Sequence, residues 1–192
     1  MRPPKDGMET DFEVRCFDLN IPLGEYEKLP KNPLWFGLDN LRSAFNVGSI
    51  FRLGDILRVK GLLLCGNTAA PPHQRLRKTS MGTVDVVPWQ RFDNAIDAIR
   101  HLKERNVPVW AAETTTASKP YNRIRYPREL AIVLGNEALG VNSEALRLCE
   151  EIIEIPTFGF KNSMNVASAA AVLGYKALEM MQSESGDVEK RC

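Results

Sequence analysis

The chain has 192 residues, 44% of them hydrophobic and 26% charged, with a formal net charge of +1. Such proportions suit one globular core built without disulfides and exclude wholesale disorder. No apolar run reaches the roughly eighteen residues of a membrane span, and the N-terminus lacks the apolar centre of a signal peptide, so the expectation is a cytoplasmic protein with no membrane contact.

Cysteine and histidine usage narrows the chemistry. The four cysteines, Cys16, Cys65, Cys149 and Cys192, are far apart and form no CxxC pair, which argues against a zinc ribbon or a disulfide framework. Only His73 and His101 occur, too few for an HExxH metal site with further ligands and a poor basis for a histidine triad. No metal is expected.

Residues 1–33 are rich in proline and charge and read as an N-terminal arm, with room for one short helix. Strand-length apolar runs then alternate with segments of helical period. The first predicted strand, Leu34–Leu38, leads through a polar loop into a helix over Val47–Leu57. Asn46 stands at the capping position and Gly48 would let another backbone come close. Arg52 follows Asn46 by nearly two turns, so the two could address one region. A capped surface helix with a solvent-facing arginine would read the same way.

Further strands are predicted at Val59–Leu64, Val84–Val87, Val107–Ala112, Leu130–Leu134 and Ile152–Ile155, and helices at Pro72–Ser80, Asn94–Arg105, Ser143–Glu150 and Ser163–Met181. In the helix from Asn94, residues Ala95, Ile96, Ile99 and Leu102 fall on one face. Leu62-Leu63-Leu64 and the run from Leu130 to Leu134 are apolar at successive positions, as strands buried on both faces should be. The fold class is therefore α/β: a mostly parallel sheet with helices on both faces. The expected organisation is an arm over 1–33, one domain over 34–182 and a polar tail over 183–192.

In open α/β sheets ligands sit beyond the carboxyl ends of the strands. Besides the Asn46 loop, two stretches there are unusual. Gly135, Asn136, Glu137 and Gly140 follow the most apolar strand, and the two glycines bracketing a carboxylate allow positive φ or close ligand approach. The pattern is neither a phosphate-binding P-loop nor GxGxxG, and a plain strand-to-helix turn is the alternative. The third stretch runs from Ile155 and Pro156 through Gly159 to Ser163, Met164 and Asn165, then into a helix crowded with Ala167, Ser168, Ala169, Ala170 and Ala171. Ser163 reads as its N-cap, and Asn165 could donate and accept toward a ligand.

Charge is unevenly spread. Residues 1–141 carry 20 basic and 16 acidic side chains, and residues 142–192 carry 5 and 8. Two acid-free stretches stand out: His73 to Lys78, with Arg75 and Arg77, and Lys119 to Arg128, with Arg123 and Arg125 between Tyr121 and Tyr126. Cations interleaved with aromatics suit phosphate contact and base stacking, although solvated basic loops are an equal reading.

Together the three loops resemble the SpoU/TrmH branch of the SPOUT RNA methyltransferases. Asn46, Gly48 and Arg52 match its N-x-G-x-x-x-R motif, and Gly135, Glu137 and Gly140 match its G-x-E-x-x-G loop. Ile155, Pro156, Gly159, Ser163, Met164 and Asn165 match its I-P-M-x-G-x-x-x-S-[LM]-N segment, with Thr157 in place of the usual Met. Phe45 also departs from the family pattern, which has proline or a small polar residue there. The resemblance spans roughly residues 34–182 with its motifs in order.

That resemblance implies a C-terminal trefoil knot, which periodicity cannot show, a homodimer, and S-adenosyl-L-methionine as cofactor. It places Leu134, Gly135, Gly140, Ile155, Ser163 and Met164 around the cofactor, with Ala112 and Glu113 as looser matches. Arg52, Asn46, Glu137, Ser163 and Asn165 would serve methyl transfer to a ribose 2′-hydroxyl of RNA. Many relatives carry an N-terminal RNA-binding domain where this chain has a short arm, which turns the expectation toward tRNA rather than rRNA. Arg52 has been cast in this family as proton acceptor, but a guanidinium is normally always protonated; a phosphate clamp beside the ribose is the preferred role. Arg75, Arg77, Lys78, Arg123 and Arg125 are the expected RNA contacts. A non-catalytic RNA-binding protein on the same fold, or a base-methylating SPOUT enzyme, would share most of these features.

Overall fold

In the computed structural model, which describes residues 22–185, strand β1 (Asn32–Asp39) lies near the middle of a seven-stranded sheet. It pairs in parallel with β2 (Val59–Cys65) on one side and β6 (Leu130–Leu134) on the other. Beyond β2 lies β3 (Trp89–Phe92), and beyond β6 come β4 (Val109–Ala112), β7 (Glu151–Glu154) and the two-residue edge strand β5 (Lys119–Pro120). Every strand pair is parallel, as the strand–helix alternation predicts.

Period-two alternation divides the central strands between two cores. Leu34, Phe36 and Leu38 of β1, Leu62 and Leu64 of β2, and Leu130, Ile132 and Leu134 of β6 face one side. There they meet α2 (Ala44–Ile56), α3 (Gln74–Ser80) and α6 (Val166–Ser185). Leu63, Cys65, Ala131 and Val133 face the other side, against α4 (Ala95–Lys103) and α5 (Ser143–Leu148). All five residues of β6 are buried, which is why that segment reads as an unbroken apolar run.

The chain divides into two units, Met1–Pro30 and Lys31–Cys192. The described part of the first holds one short helix, α1 (Leu23–Tyr26). In the second, α6 continues through Ser183 to Ser185. Of the four thiols, Cys16 and Cys192 lie outside the described residues. Cys65 and Cys149 are free, and burial pushes both thiols up to about 12, helped by the Asp39 and Glu150 carboxylates respectively.

The predicted strand at Val84–Val87 is not a strand. Met81 and Gly82 both take positive φ, turning the chain into a 3₁₀ turn over Thr83–Asp85. Val84 and Val87 are buried against the helix side, so apolarity there reports burial and not extension. The strand itself, Trp89–Phe92, is an edge with three exposed residues and carries little apolar pattern. Two capping assignments also move. Ser43, not Asn46, caps α2, its hydroxyl accepting from the Asn46 amide at 3.3 Å; the second, at α6, belongs to the site below. Gly48 does meet a close neighbour: a Cβ there would lie 2.7 Å from Thr79 Cβ of α3.

Candidate functional site

Three loops leave the carboxyl ends of β1, β6 and β7 on the same side of the sheet, and hydrogen bonds tie the first two together. Glu137, in the loop after β6, accepts from the backbone amides of Arg42 (2.9 Å) and Ser43 (3.2 Å) and from Asn46 Nδ2 (2.8 Å). Partial burial works to raise its pKa. The bonds from the Arg42 amide, the Asn46 side chain, its own amide and the Ser43 amide outweigh that, holding the carboxyl below its usual range.

Asn46 extends the connection to the third loop. Asn165 Nδ2 donates to Asn46 Oδ1 at 3.1 Å. Because Asn46 spends its amide nitrogen on Glu137, its oxygen is the atom that faces Asn165. Asn165 also accepts, through Oδ1, from the amides of Ala167 (2.9 Å) and Ser168 (3.3 Å). The cap of α6 is therefore Asn165 and not Ser163, and the same residue joins helix to network.

Beneath this network runs a second polar layer that the motifs do not announce. Asp39, Thr68 and Asn136 are among the few buried polar residues. Asp39 accepts from the Asn142 amide and from Asn40 Nδ2, both through its carboxylate. Asn136 Nδ2 donates to the Asn40 carbonyl at 2.6 Å, and Thr68 Oγ1 accepts from the Leu41 amide while donating to the Leu38 carbonyl. The bonds from Asn142 and Asn136 hold the loop after β1 against the loop after β6, and those of Thr68 tie in the loop after β2. The available signal was an aspartate closing an otherwise apolar strand: a charge at that position needs partners.

Next to the network lies an open cavity of about 610 Å³. Its lining includes all eight residues expected around the cofactor: Ala112, Glu113, Leu134, Gly135, Gly140, Ile155, Ser163 and Met164. Glu137 and Asn165 also border it. Two glycines shape the wall. A Cβ on Gly135 would sit 2.2 Å from the Val141 nitrogen and 2.3 Å from the Gly140 carbonyl carbon, so the loop can close on itself only with glycine there. Gly140 has φ +72, and the Glu113 carboxylate packs over it while accepting from the Val141 amide at 2.9 Å. The close approach is within one loop, between residues 135 and 141. Three glutamates, Glu113, Glu137 and Glu154, line the cavity without any lysine or arginine.

Arg52 stands apart. It is exposed on α2, about 9 Å along the helix axis from Asn46 at 1.5 Å per residue, and its guanidinium has no hydrogen-bond or ion-pair partner among the described residues. Asn46, Glu137 and Asn165 do not hold it. The Ser163 hydroxyl is likewise unengaged.

The two basic stretches fare differently. Arg75, Arg77 and Lys78 are exposed on α3, with Asp85 3.8 Å from Arg77. Arg123 and Arg125 are exposed on the chain that follows β5, at the opposite edge of the sheet from β3. Interleaved stacking is not what Tyr126 provides. Tyr126 is 3% exposed, packs 4.9 Å from the Trp110 ring and donates its hydroxyl to the Tyr121 carbonyl. Lys119 is paired with Glu151 at 2.6 Å.

The profile of the SpoU rRNA Methylase family matches residues 33–175. The chain belongs to the SpoU rRNA Methylase family. It is 33% identical over 139 residues to a protein of Staphylococcus haemolyticus described as a TrmH family tRNA/rRNA methyltransferase, covering 72% of this chain and 55% of that one. The chain thus spans little more than half the length of such relatives. Among solved SpoU-like folds, an AdoMet-bound rRNA methyltransferase from Sinorhizobium meliloti superposes with a TM-score of 0.71 at 27% identity, covering 83% of this chain and 60% of that one. An RNA 2′-O ribose methyltransferase superposes at 0.70 with 24% identity, over 80% and 59% of the two chains. Among the described residues no group of His, Cys, Asp and Glu could hold a metal ion, and no helix is long and apolar enough to cross a membrane.

Proposed function

We propose that this SpoU-family chain is an S-adenosylmethionine-dependent RNA methyltransferase acting on a ribose 2′-hydroxyl. One observation carries the reading: the three motif loops converge, with Glu137, Asn46 and Asn165 joined in one hydrogen-bonded row at the mouth of a cavity. The chemistry of the lining fits the cofactor. A cavity bearing three carboxylates and no cation suits a ligand with a sulfonium and an ammonium group. Leu134, Gly135, Ile155 and Met164 would surround the adenosyl part, with Ala112, Glu113, Gly140 and Ser163 at its margins. When bound, S-adenosylmethionine supplies a methyl group on a positively charged sulfur, with a neutral thioether as the leaving group.

The chain's own residues then have positioning tasks. Glu137 has its carboxylate engaged by three donors, so it anchors Asn46 and the α2 N-terminus rather than accepting a substrate proton. Asn46 and Asn165 each spend one amide N–H within the row and present the other to the ribose. Arg52, exposed and unpartnered, holds the phosphate beside that ribose and polarises its hydroxyl; an exposed guanidinium suits a phosphate clamp better than a proton acceptor. The hydroxyl proton leaves to water or to a substrate phosphate oxygen. Arg75, Arg77, Lys78, Arg123 and Arg125 supply phosphate contacts along the RNA.

The proposal extends to a knotted C-terminal segment and a homodimer acting in the cytoplasm. The first rests on membership of the SpoU family; the C-terminal helix α6 follows β7 and packs on Phe36 of β1 and Leu57 after α2, where Gly174 leaves no room for a side chain. In support of the second, Ile56, Leu139 and Tyr175 are large, apolar and exposed. The test is transfer of labelled methyl from S-adenosylmethionine to tRNA and rRNA offered separately, tRNA first, with Arg52→Ala alongside. The expected result is transfer to one pool, cut about 100-fold or more by Arg52→Ala at unchanged cofactor affinity. Cofactor binding without transfer to either pool would overturn it, as would full activity in Arg52→Ala.

A further inference from the structure

Beside the hydrogen-bonded row, and separate from the cofactor cavity, is a smaller cleft of about 230 Å³ lined by Arg42, Ser43, Ala44, Phe45, His73 and Arg75. It shares a wall with the proposed site. Ser43 lines the cleft while its amide, like that of Arg42, donates to Glu137. Phe45 is 58% exposed in the first turn of α2, a helix most of whose other apolar side chains point into the core. Neither the Arg42 nor the Arg75 guanidinium has a partner among the described residues, and no carboxylate lines the cleft. His73 accepts from the Leu76 amide through Nδ1, which leaves Nε2 as the donor pointing away from the α3 backbone.

We propose that this cleft receives a nucleotide flanking the methylated one, its base stacked on Phe45 and its phosphates held by Arg42 and Arg75, with His73 Nε2 as a further donor. An exposed aromatic ring between unpaired cations is the arrangement that binds single-stranded RNA: the ring takes any base face, and the cations take the backbone. The cleft's contact with the Glu137 anchor makes the path continuous, so a strand with one ribose at Asn46 and Asn165 passes directly over Ser43. The inference rests on the methyltransferase reading for that register, and it adds a contact that grips the neighbouring nucleotide whatever its base.

The test uses the full chain and a fluorescein-labelled 12-nucleotide single-stranded RNA of mixed sequence, titrated by anisotropy over a salt series without cofactor. Phe45→Ala is expected to weaken binding about 5-fold or more with the salt slope unchanged, since a base stack releases no counterion. Phe45→Trp should retain affinity. Arg42→Gln should lower both affinity and slope, the slope by about 0.7 for one fewer neutralised phosphate. Unchanged affinity in Phe45→Ala, with cofactor binding intact as the folding control, would overturn the proposal. So would a Phe45→Ala variant whose mass in light scattering drops while its RNA affinity does not, because Phe45 would then be a subunit contact. Loss of RNA affinity in Phe45→Ala alongside absent methyl transfer in wild type would sink the enzymatic reading and leave the cleft standing. Methyl transfer in both proteins at equal rate and affinity would do the reverse.

Discussion

Asn165 carries two duties on different atoms, and two substitutions separate them. Its Oδ1 caps α6 and its Nδ2 donates to Asn46. Asn165→Ala removes both, so the protein loses a cap worth about 1 kcal/mol, a shift of roughly 0.5 M in a urea midpoint. Asn165→Asp keeps an oxygen for the cap, since aspartate is as good a capping residue as asparagine, and stability should stay within about 0.5 kcal/mol of wild type. The donor to Asn46 is gone, however, and an acceptor faces an acceptor. Flipping the Asn46 amide only moves the mismatch to Glu137. Water can satisfy the exposed Asn46 oxygen, so stability is little affected, but the amide loses its fixed orientation; at about 1 kcal/mol for one hydrogen bond, methyl transfer should fall about 5-fold. Urea denaturation and a transfer assay on both variants decide it. A fully active Asn165→Asp, or an Asn165→Ala as stable as wild type, would show that the two duties are not divided in this way.

Gly135→Ala forces a Cβ into the Gly140–Val141 backbone and should cost about 1 to 3 kcal/mol and weaken S-adenosylmethionine binding. Gly159→Ala, with nothing within 4 Å, should change neither in calorimetry. The Glu137 carboxyl sits below its ordinary 4.5, so the anchor it provides is fully present above about pH 4.5 and is lost only as pH falls through the lower folded value. A ¹³C titration of Glu137 with a midpoint at or above 4.5 would contradict this. In a Cys16→Ser, Cys149→Ser, Cys192→Ser protein, Cys65, buried and pushed up to about 12, should react with a disulfide reagent at pH 8 only as fast as the protein unfolds; rapid native labelling would show the thiol to be open to solvent.

The fold was legible where burial is two-sided. Leu62-Leu63-Leu64 and Leu130–Leu134 are central strands because both faces are covered, and their sequences show it. Legibility failed at the edges, where Trp89–Phe92 is mostly exposed and Lys119–Pro120 is two residues long, and at Val84–Val87, where buried valines sit in a turn. Within the site, the motif residues lining the cavity were readable as types, whereas their partners were not. Glu137 reaches Arg42 and Ser43 across more than ninety residues, and nothing local distinguishes Asn165 from Ser163 as the cap. Tyr126 shows the opposite case: it alternates with cations in sequence, yet its ring packs into the core against Trp110, because residues of a docked loop point in different directions.

Whether this cavity and its row of amides methylate a ribose is decided by nucleoside analysis of RNA treated with the protein and methyl-labelled S-adenosylmethionine, digested fully and resolved by mass spectrometry. The expected label lies on the sugar fragment of one nucleoside and falls about 100-fold or more with Arg52→Ala. Label on a base fragment, or none in any RNA from a protein that binds the cofactor, would contradict ribose methylation.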